Sequence, residues 1–194
     1  MLALAEAFGV ALVGGDTISH DGGTVLSVTV VGCVSPGAAV LRSGAREGDV
    51  VAVTGRLGGS FPGRHLTFTP RVAEARSLVL FGPPTAMMDL SDGLALDLRR
   101  LCDASGLGAD IDAAEIPIHE DVADDPDPLR RALGDGEDYE LLFTVDPTRW
   151  DALTAGWNHA VPLSRIGRMT RGPLRLVTAG GVAVPWPRGG HVHH

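Results

Sequence analysis

The chain has 194 residues, 24 acidic against 16 basic side chains, and a formal net charge of −8. An apolar content of 44% and a charged content of 21% exclude a disordered chain, and the length suffices for one sizeable core or two small ones. The acidic balance excludes the basic surface of a nucleic-acid binder, because Arg99-Arg100 and Arg130-Arg131 are isolated pairs. No apolar run is long enough to span a bilayer.

Aromatic residues are scarce at 5%, while 26 glycines and 13 prolines favour short elements joined by many turns. Cys33 and Cys102 stand outside any Cys-x-x-Cys pair and read as free, buried thiols in a reducing, cytoplasmic compartment. The opening MLALAEAFGV lacks a basic leader and a cleavage pattern. Its Leu2, Ala5 and Phe8 fall on one side of a helix, so the chain is expected to begin inside a folded element.

ALVGG then reads as a short buried strand, and Thr24 to Val34, TVLSVTVVGCV, as a β-branched central strand. Residues 35–49 are broken by Pro36, Gly37, Gly44 and Gly48 and form a connector. DVVAVTG opens a new strand, and RVAEARSLVLFG has helical spacing up to Gly82-Pro83-Pro84. TAMMDLSDG is a short strand running into a turn. Leu94, Leu98 and Leu101 mark one face of a helix closed by Gly106. GADIDAAEIPI returns to extended structure, and HEDVADDPDPLRR reads as a solvated acidic loop. DYELLFTV is a strand and PTRWDALTAG a short helix. Strands around residues 161–166 and 174–177 finish the chain. The alternation with hairpins predicts an α+β architecture with a mixed sheet. A seam near Gly44–Asp49 separates a small piece, residues 1–44, from a larger α/β domain, residues 45–194.

Three carboxylates stand at turns that follow apolar strands: Asp16 after Gly14-Gly15, and Asp89 and Asp92 around Leu90-Ser91. Taken singly they fit ordinary turn chemistry, with Asp16 in an Asx turn and Ser91 or Asp92 capping the next helix. Taken together they fit a polyphosphate and a divalent cation. Glycines let backbone approach phosphate oxygens, a helix N-terminus offers free N–H groups, and Mg²⁺ takes one or two carboxylates along with the phosphates. There is no Walker A loop and no Gly-x-Gly-x-x-Gly after a strand. A third cluster, Asp135, Glu137 and Asp138 in GDGEDYELLFTV, precedes a strand.

In this order, LVGGDT, LRSGAREGDVVAVTGRLGGS, AMMDLSDGLALDLRRLCDASGLGADID and GDGEDYELLFTV resemble the thiamine-monophosphate kinase family over nearly the whole chain. MMDLSDGL and GEDYELLF are the specific segments. The resemblance implies the two-domain fold of aminoimidazole ribonucleotide synthetase and its relatives, with ATP in a cleft beside a sheet shared by two subunits. It implies transfer of a phosphoryl group from ATP to thiamine monophosphate, giving thiamine diphosphate. By resemblance, Gly15, Asp16, Arg42 and Ser91 contact ATP. Asp16, Asp89 and Asp92 hold Mg²⁺, and Glu137 and His191 contact the thiamine phosphate. The partners implied are thiamine monophosphate, ATP and a second subunit or a separate N-terminal half, with no nucleic acid and no membrane.

The sequence departs from the family in three places. The family's upstream Gly-Asp-Asp, Thr-Thr-Asp and Asn-Leu-Ser-Asp motifs have no counterpart before Gly14, so the N-terminal domain, residues 1–44, is expected to be truncated. Asp135 stands where the family has glycine. The end, GGHVHH, places His191 where the family has an aromatic and His193 at the family's histidine; a solvated tail or a chance metal site is the plainer reading of these histidines. A non-catalytic nucleotide- or thiamine-phosphate-binding module, or a partner subunit, is the alternative reading.

Overall fold

The computed structural model describes residues 1–61, 63–187 and 189. The chain divides into two units, one from Met1 to Ser35 and one from Pro36 onward.

In the first unit, α1 (Leu2–Ala7) is a short helix with no buried residue. The two strands expected after it do not form. Val13 in ALVGG is 96% exposed, and Val31 in the Thr24–Val34 run is 88% exposed. β-branched residues favour a strand only where a neighbour takes up the backbone N–H and C=O groups. Among the described residues no strand pairs with this run. Cys33 is therefore exposed and not buried, whereas Cys102 is buried as expected.

The second unit is built on one seven-stranded mixed sheet. Its strands are β1 (Val50–Thr54), β2 (Ala86–Asp89), β3 (Gly108–Asp112), β4 (Leu141–Val145), β5 (Leu163–Thr170), β6 (Arg175–Val177) and β7 (Ala183–Pro185). They lie in the order β2-β4-β1-β5-β3-β6-β7. Every neighbouring pair is antiparallel except β3 and β6. The helices are α2 (Val72–Phe81), α3 (Leu94–Ser105), α4 (Pro128–Gly134) and α5 (Trp150–Gly156).

The centre of the sheet shows why it has two faces. β1 reads Val-Val-Ala-Val-Thr and is buried at all five positions. Successive side chains of a strand point to opposite faces. Val51 and Val53 accordingly join a large apolar cluster with Leu94, Leu98 and Leu101 of α3. Val50 and Ala52 join a smaller one with Leu78 of α2 and Leu153 of α5. Trp186 closes the larger cluster, its indole N–H donating to the Ala95 carbonyl at 2.8 Å.

Other expectations need correction. The acidic segment 119–131 is not all solvated loop. It contains a 3₁₀ turn, Glu120–Val122, and the start of α4, whose Ala132 and Leu133 are buried. Asp127 caps α4 by accepting from Arg130 N at 3.1 Å, with Pro128 in the first turn, a helix start that the surrounding acids disguise. β4 begins only at Leu141, so Asp138–Glu140 lie before the strand in irregular backbone. β5 runs on to Thr170, and β7 adds a strand at the end.

Val25, Leu26, Val28, Val30 and Val31 are all more than 60% exposed. A patch of this kind drives association. Static light scattering on the full chain should give an average mass that rises with concentration, and replacing Val28 and Val30 by lysine should suppress the rise. A monomer mass independent of concentration would contradict this.

Candidate active site

β2 ends at Asp89 and the chain turns through Leu90-Ser91-Asp92 into α3. The turn is not held by Ser91 or Asp92 as helix caps, and α3 has no side-chain cap at its N-terminal Gly93. Asp97, wholly buried in the first turn of the helix, reaches back instead. Its Oδ2 accepts from Ser91 N at 3.1 Å and from Asp92 N at 2.9 Å. Arg100 Nη1 donates to Asp97 Oδ1 at 2.8 Å and also pairs with the Asp92 carboxylate. Burial raises the Asp97 pKa, against the opposing pull of the Asp92 amide and Arg100.

Gly93 is needed where it stands. Its φ is +96°, and a Cβ would lie 3.1 Å from the Leu133 carbonyl oxygen and 3.3 Å from Gly136 N. The close approach lets the segment after α4 lie against the turn after β2. Glu137 N donates to Ser91 O at 2.7 Å, Tyr139 N to Leu90 O at 2.8 Å, and Leu90 N to Glu140 O at 2.8 Å.

The residues of that second turn divide their work. Asp138 is buried and accepts from Gly58 N at 3.0 Å, Ser60 Oγ at 2.9 Å and Arg64 Nη2 at 3.0 Å. Burial is the main cause that pushes its carboxyl up to about 6, although each of these donors pulls it down. Glu140 accepts a two-pronged bond from Arg71, at 2.8 and 2.6 Å, and a third from Thr54 Oγ1 at 2.7 Å. Asp135, the departure from the family glycine, accepts from Gly59 N at 2.9 Å and from Arg131 Nε at 2.7 Å. Its side chain is spent on holding the Gly58-Gly59 loop and the end of α4.

Glu137 and Tyr139 are left. They are the non-glycine residues with positive φ among those described, at +56° and +51°. Such backbone costs on the order of 1–3 kcal/mol per residue and persists only where its surroundings impose it. The Tyr139 phenol is held above its usual pKa, first by burial and then by the charges of Glu137, Asp89 and Asp92. Three acids expected in the site therefore share one neighbourhood. His65 Nε2 lies 3.9 Å from Glu137 Oε2, and the Phe68 ring stacks on Tyr139 with centroids 4.2 Å apart.

The remaining candidates are placed as follows. Ser91 lies in the paired turns and Asp89 is exposed at the end of β2. Arg42 is exposed before β1, its carbonyl accepting from Ser105 Oγ at 3.2 Å. Gly15 and Asp16 belong to the first unit, where Asp16 Oδ1 accepts from Thr17 N at 2.8 Å. His191 and His193 lie outside the described residues. Among the described residues no three histidine, cysteine, aspartate or glutamate groups stand close enough to hold a metal ion by themselves. Asp89 and Asp92 nevertheless fit Mg²⁺ in donor type, because that ion uses one or two carboxylates and takes its other oxygens from phosphate and water. An open groove of about 540 Å³ lies elsewhere, against α2, and its lining of Val72, Ala75, Val79, Met87, Leu141 and arginine side chains carries no carboxylate.

Sequence reasoning missed Asp97, Arg100 and Phe68. An acid at the fourth position of a helix that lacks a cap was the signal for Asp97, and its partner one turn on was the signal for Arg100. Nothing local marked Phe68, whose partner lies across the unit.

This arrangement is that of an α+β domain built on one mixed sheet, and the comparisons agree with that fold. Residues 44–179 match the family described as AIR synthase related protein, C-terminal domain, and the chain belongs to that family. A thiamine-monophosphate kinase of Rhodopirellula baltica is 39% identical over 174 residues, 87% of this chain and 54% of that protein. A crystal structure of thiamine-monophosphate kinase from Stenotrophomonas maltophilia K279a is similar with a TM-score of 0.65 at 30% identity, over 78% of this chain and 56% of that one. The structure of AaThiL complexed with AMPPCP and TMP is similar with a TM-score of 0.60 at 28% identity, over 78% of this chain and 53% of that one. The chain thus spans about half the length of these relatives. Among the described residues no helix is long and apolar enough to cross a membrane.

The shifted Asp138 gives a pH prediction. With a folded pKa near 6 against an ordinary 3.8, the folded state keeps this proton over a range where the unfolded chain has released it. The stabilisation is complete below about pH 4 and lost as pH rises through 6, about 2–3 kcal/mol in all. Urea unfolding should therefore show that Asp138→Asn loses less stability than the parent chain between pH 4.5 and 7. Parallel pH profiles would contradict the assignment.

Proposed function

We propose that this chain belongs to an enzyme that uses ATP and Mg²⁺ to convert thiamine monophosphate to thiamine diphosphate. The observation that carries the reading is the pairing of the Leu90–Asp92 turn with the Glu137–Glu140 turn, which gathers Asp89, Asp92 and Glu137 around Tyr139. Two further findings support it: the relatives are named thiamine-monophosphate kinases, and the structural neighbour AaThiL is complexed with AMPPCP and TMP.

In this reading an oxygen of the thiamine monophosphate phosphate attacks the γ-phosphorus of ATP. The bond from that phosphorus to the bridging oxygen breaks and ADP leaves. The attacking oxygen is already anionic near neutral pH, so no general base is required. The obstacle is repulsion between two polyanions, and charge neutralisation with in-line placement overcomes it. Mg²⁺ supplies that neutralisation when bound, and Asp16, Asp89 and Asp92 would hold it. Arg100 fixes the Asp92 carboxylate, and the buried Asp97 fixes the backbone beneath it. Gly15, Asp16, Arg42 and Ser91 contact ATP, and Glu137 and His191 contact the thiamine phosphate. Residues 1–44 belong to an ATP-binding and dimerisation domain and residues 45–194 to the C-terminal α/β domain, a boundary supported by the start of the family match at residue 44. The enzyme works in the cytoplasm as a homodimer or with a separate N-terminal half.

The test is formation of thiamine diphosphate by the full chain from thiamine monophosphate, ATP and Mg²⁺. Product should form, and Asp16→Ala and Asp92→Asn should each lower its rate about 100-fold or more. Absence of product from the chain alone and from the chain with a separate N-terminal half added, with retained binding of thiamine monophosphate, would overturn the kinase reading in favour of a non-catalytic binding module.

A further inference from the structure

The Phe68–Tyr139 pair is not explained by packing of the core. Neither ring belongs to either apolar cluster, and Phe68 is 38% exposed. The two rings nevertheless lie 24° from parallel with centroids 4.2 Å apart. One of them is carried by a residue held in left-handed backbone. Phe68 sits in a short exposed segment, residues 66–69, between the 3₁₀ turn Arg64–Leu66 and α2.

Carboxylates stand around the pair, and of these Asp92 is ion-paired with Arg100. Glu137, Asp89 and Asp92 all raise the Tyr139 phenol pKa, and among the described residues no arginine forms an ion pair with Glu137. Arg64, the nearest arginine in sequence to Phe68 on its N-terminal side, is taken by Asp138, Asp121 and Ser60. Arg71, on the other side, is taken by Glu140. The neighbouring imidazole of His65 lies between Glu137, at 3.9 Å, and the Phe61 ring, at 5.1 Å. The result is a set of aromatic faces beside a group of carboxylates. An aromatic face carries negative charge density and attracts a cation, and nearby carboxylates add to that attraction. A neutral ring gains only the stacking part, and an anionic ring is repelled.

We infer that Phe68 and Tyr139 form a recognition wall for a cationic heteroaromatic ring, set beside the Glu137 carboxylate. The inference deepens the proposed function and rests on it for the identity of the ligand, whose thiazolium ring has this chemistry. In the wall, Phe68 is a specificity residue. It selects the ring and takes no part in phosphoryl transfer.

The test uses unphosphorylated thiamine, which carries the cationic ring and no phosphate, titrated into the full chain by calorimetry. The neutral 4-methyl-5-thiazoleethanol and its N-methylated thiazolium cation, which differ by one methyl group and the charge, serve as the matched pair for the ring. Thiamine should bind, and the neutral thiazole should bind at least about fivefold more weakly than the thiazolium. Phe68→Leu, which keeps apolar volume and removes the π face, should weaken thiamine binding about fivefold, and Phe68→Tyr should restore it to within about twofold. Three results would each overturn the wall: no thiamine binding by the parent chain, equal affinity for the neutral thiazole and the thiazolium, or an unchanged affinity in Phe68→Leu. The comparison of charged and neutral rings needs no variant and stands even if Phe68→Leu misfolds. Formation of thiamine diphosphate without any dependence of thiamine affinity on Phe68 overturns the wall and leaves the kinase reading in place. Phe68-dependent thiamine binding without product does the opposite.

Discussion

Three backbone hydrogen bonds, from Glu137 N to Ser91 O, Tyr139 N to Leu90 O and Leu90 N to Glu140 O, tie the turn after β2 to the turn before β4. β2 and β4 are neighbours in the sheet, with Asp89 opposite Leu141, so the two turns continue a ladder beyond its last strand pair. The extension requires positive φ at Glu137 and Tyr139 and a glycine at position 93. With them, two motifs far apart in sequence become one surface.

Buried carboxylates make that surface rigid. Asp97 holds the Ser91 and Asp92 amides, Asp138 holds the Gly58 amide with Ser60 and Arg64, and Glu140 holds Arg71 and Thr54. Each is expensive to bury and is compensated by several donors at once. Their neighbours Asp92, Glu137 and Tyr139 remain partly exposed. Alternation along a short segment thus separates buried acids from partly exposed ones, and the net charge of −8 reflects both kinds.

The sheet and its helices were largely legible in the sequence because they rest on periodic apolar spacing, as in Leu94, Leu98 and Leu101 of α3. Asp89, Ser91, Asp92 and Glu137 were legible as candidates because they stand in specific motifs, and the structure places them around the paired turns. What could not be read depends on partners distant in sequence. Asp138 and Glu140 look like any acids before a strand until Gly58 and Arg71 arrive beside them. The Thr24–Val34 run has the composition of a strand, but composition cannot supply the neighbour that a strand needs. Asp127-Pro128 was a helix start hidden in an acidic stretch.

The central claim is that the two motif turns form one rigid unit with the sheet, and native-state amide hydrogen exchange tests it most directly. If the ladder extends through them, the amides of Leu90, Glu137 and Tyr139 exchange as slowly as those of β4, which open only with the unit as a whole. Rapid exchange at Glu137 and Tyr139 while β4 stays protected would mean that the turns are separate flexible loops, and the account of a preformed site would be wrong.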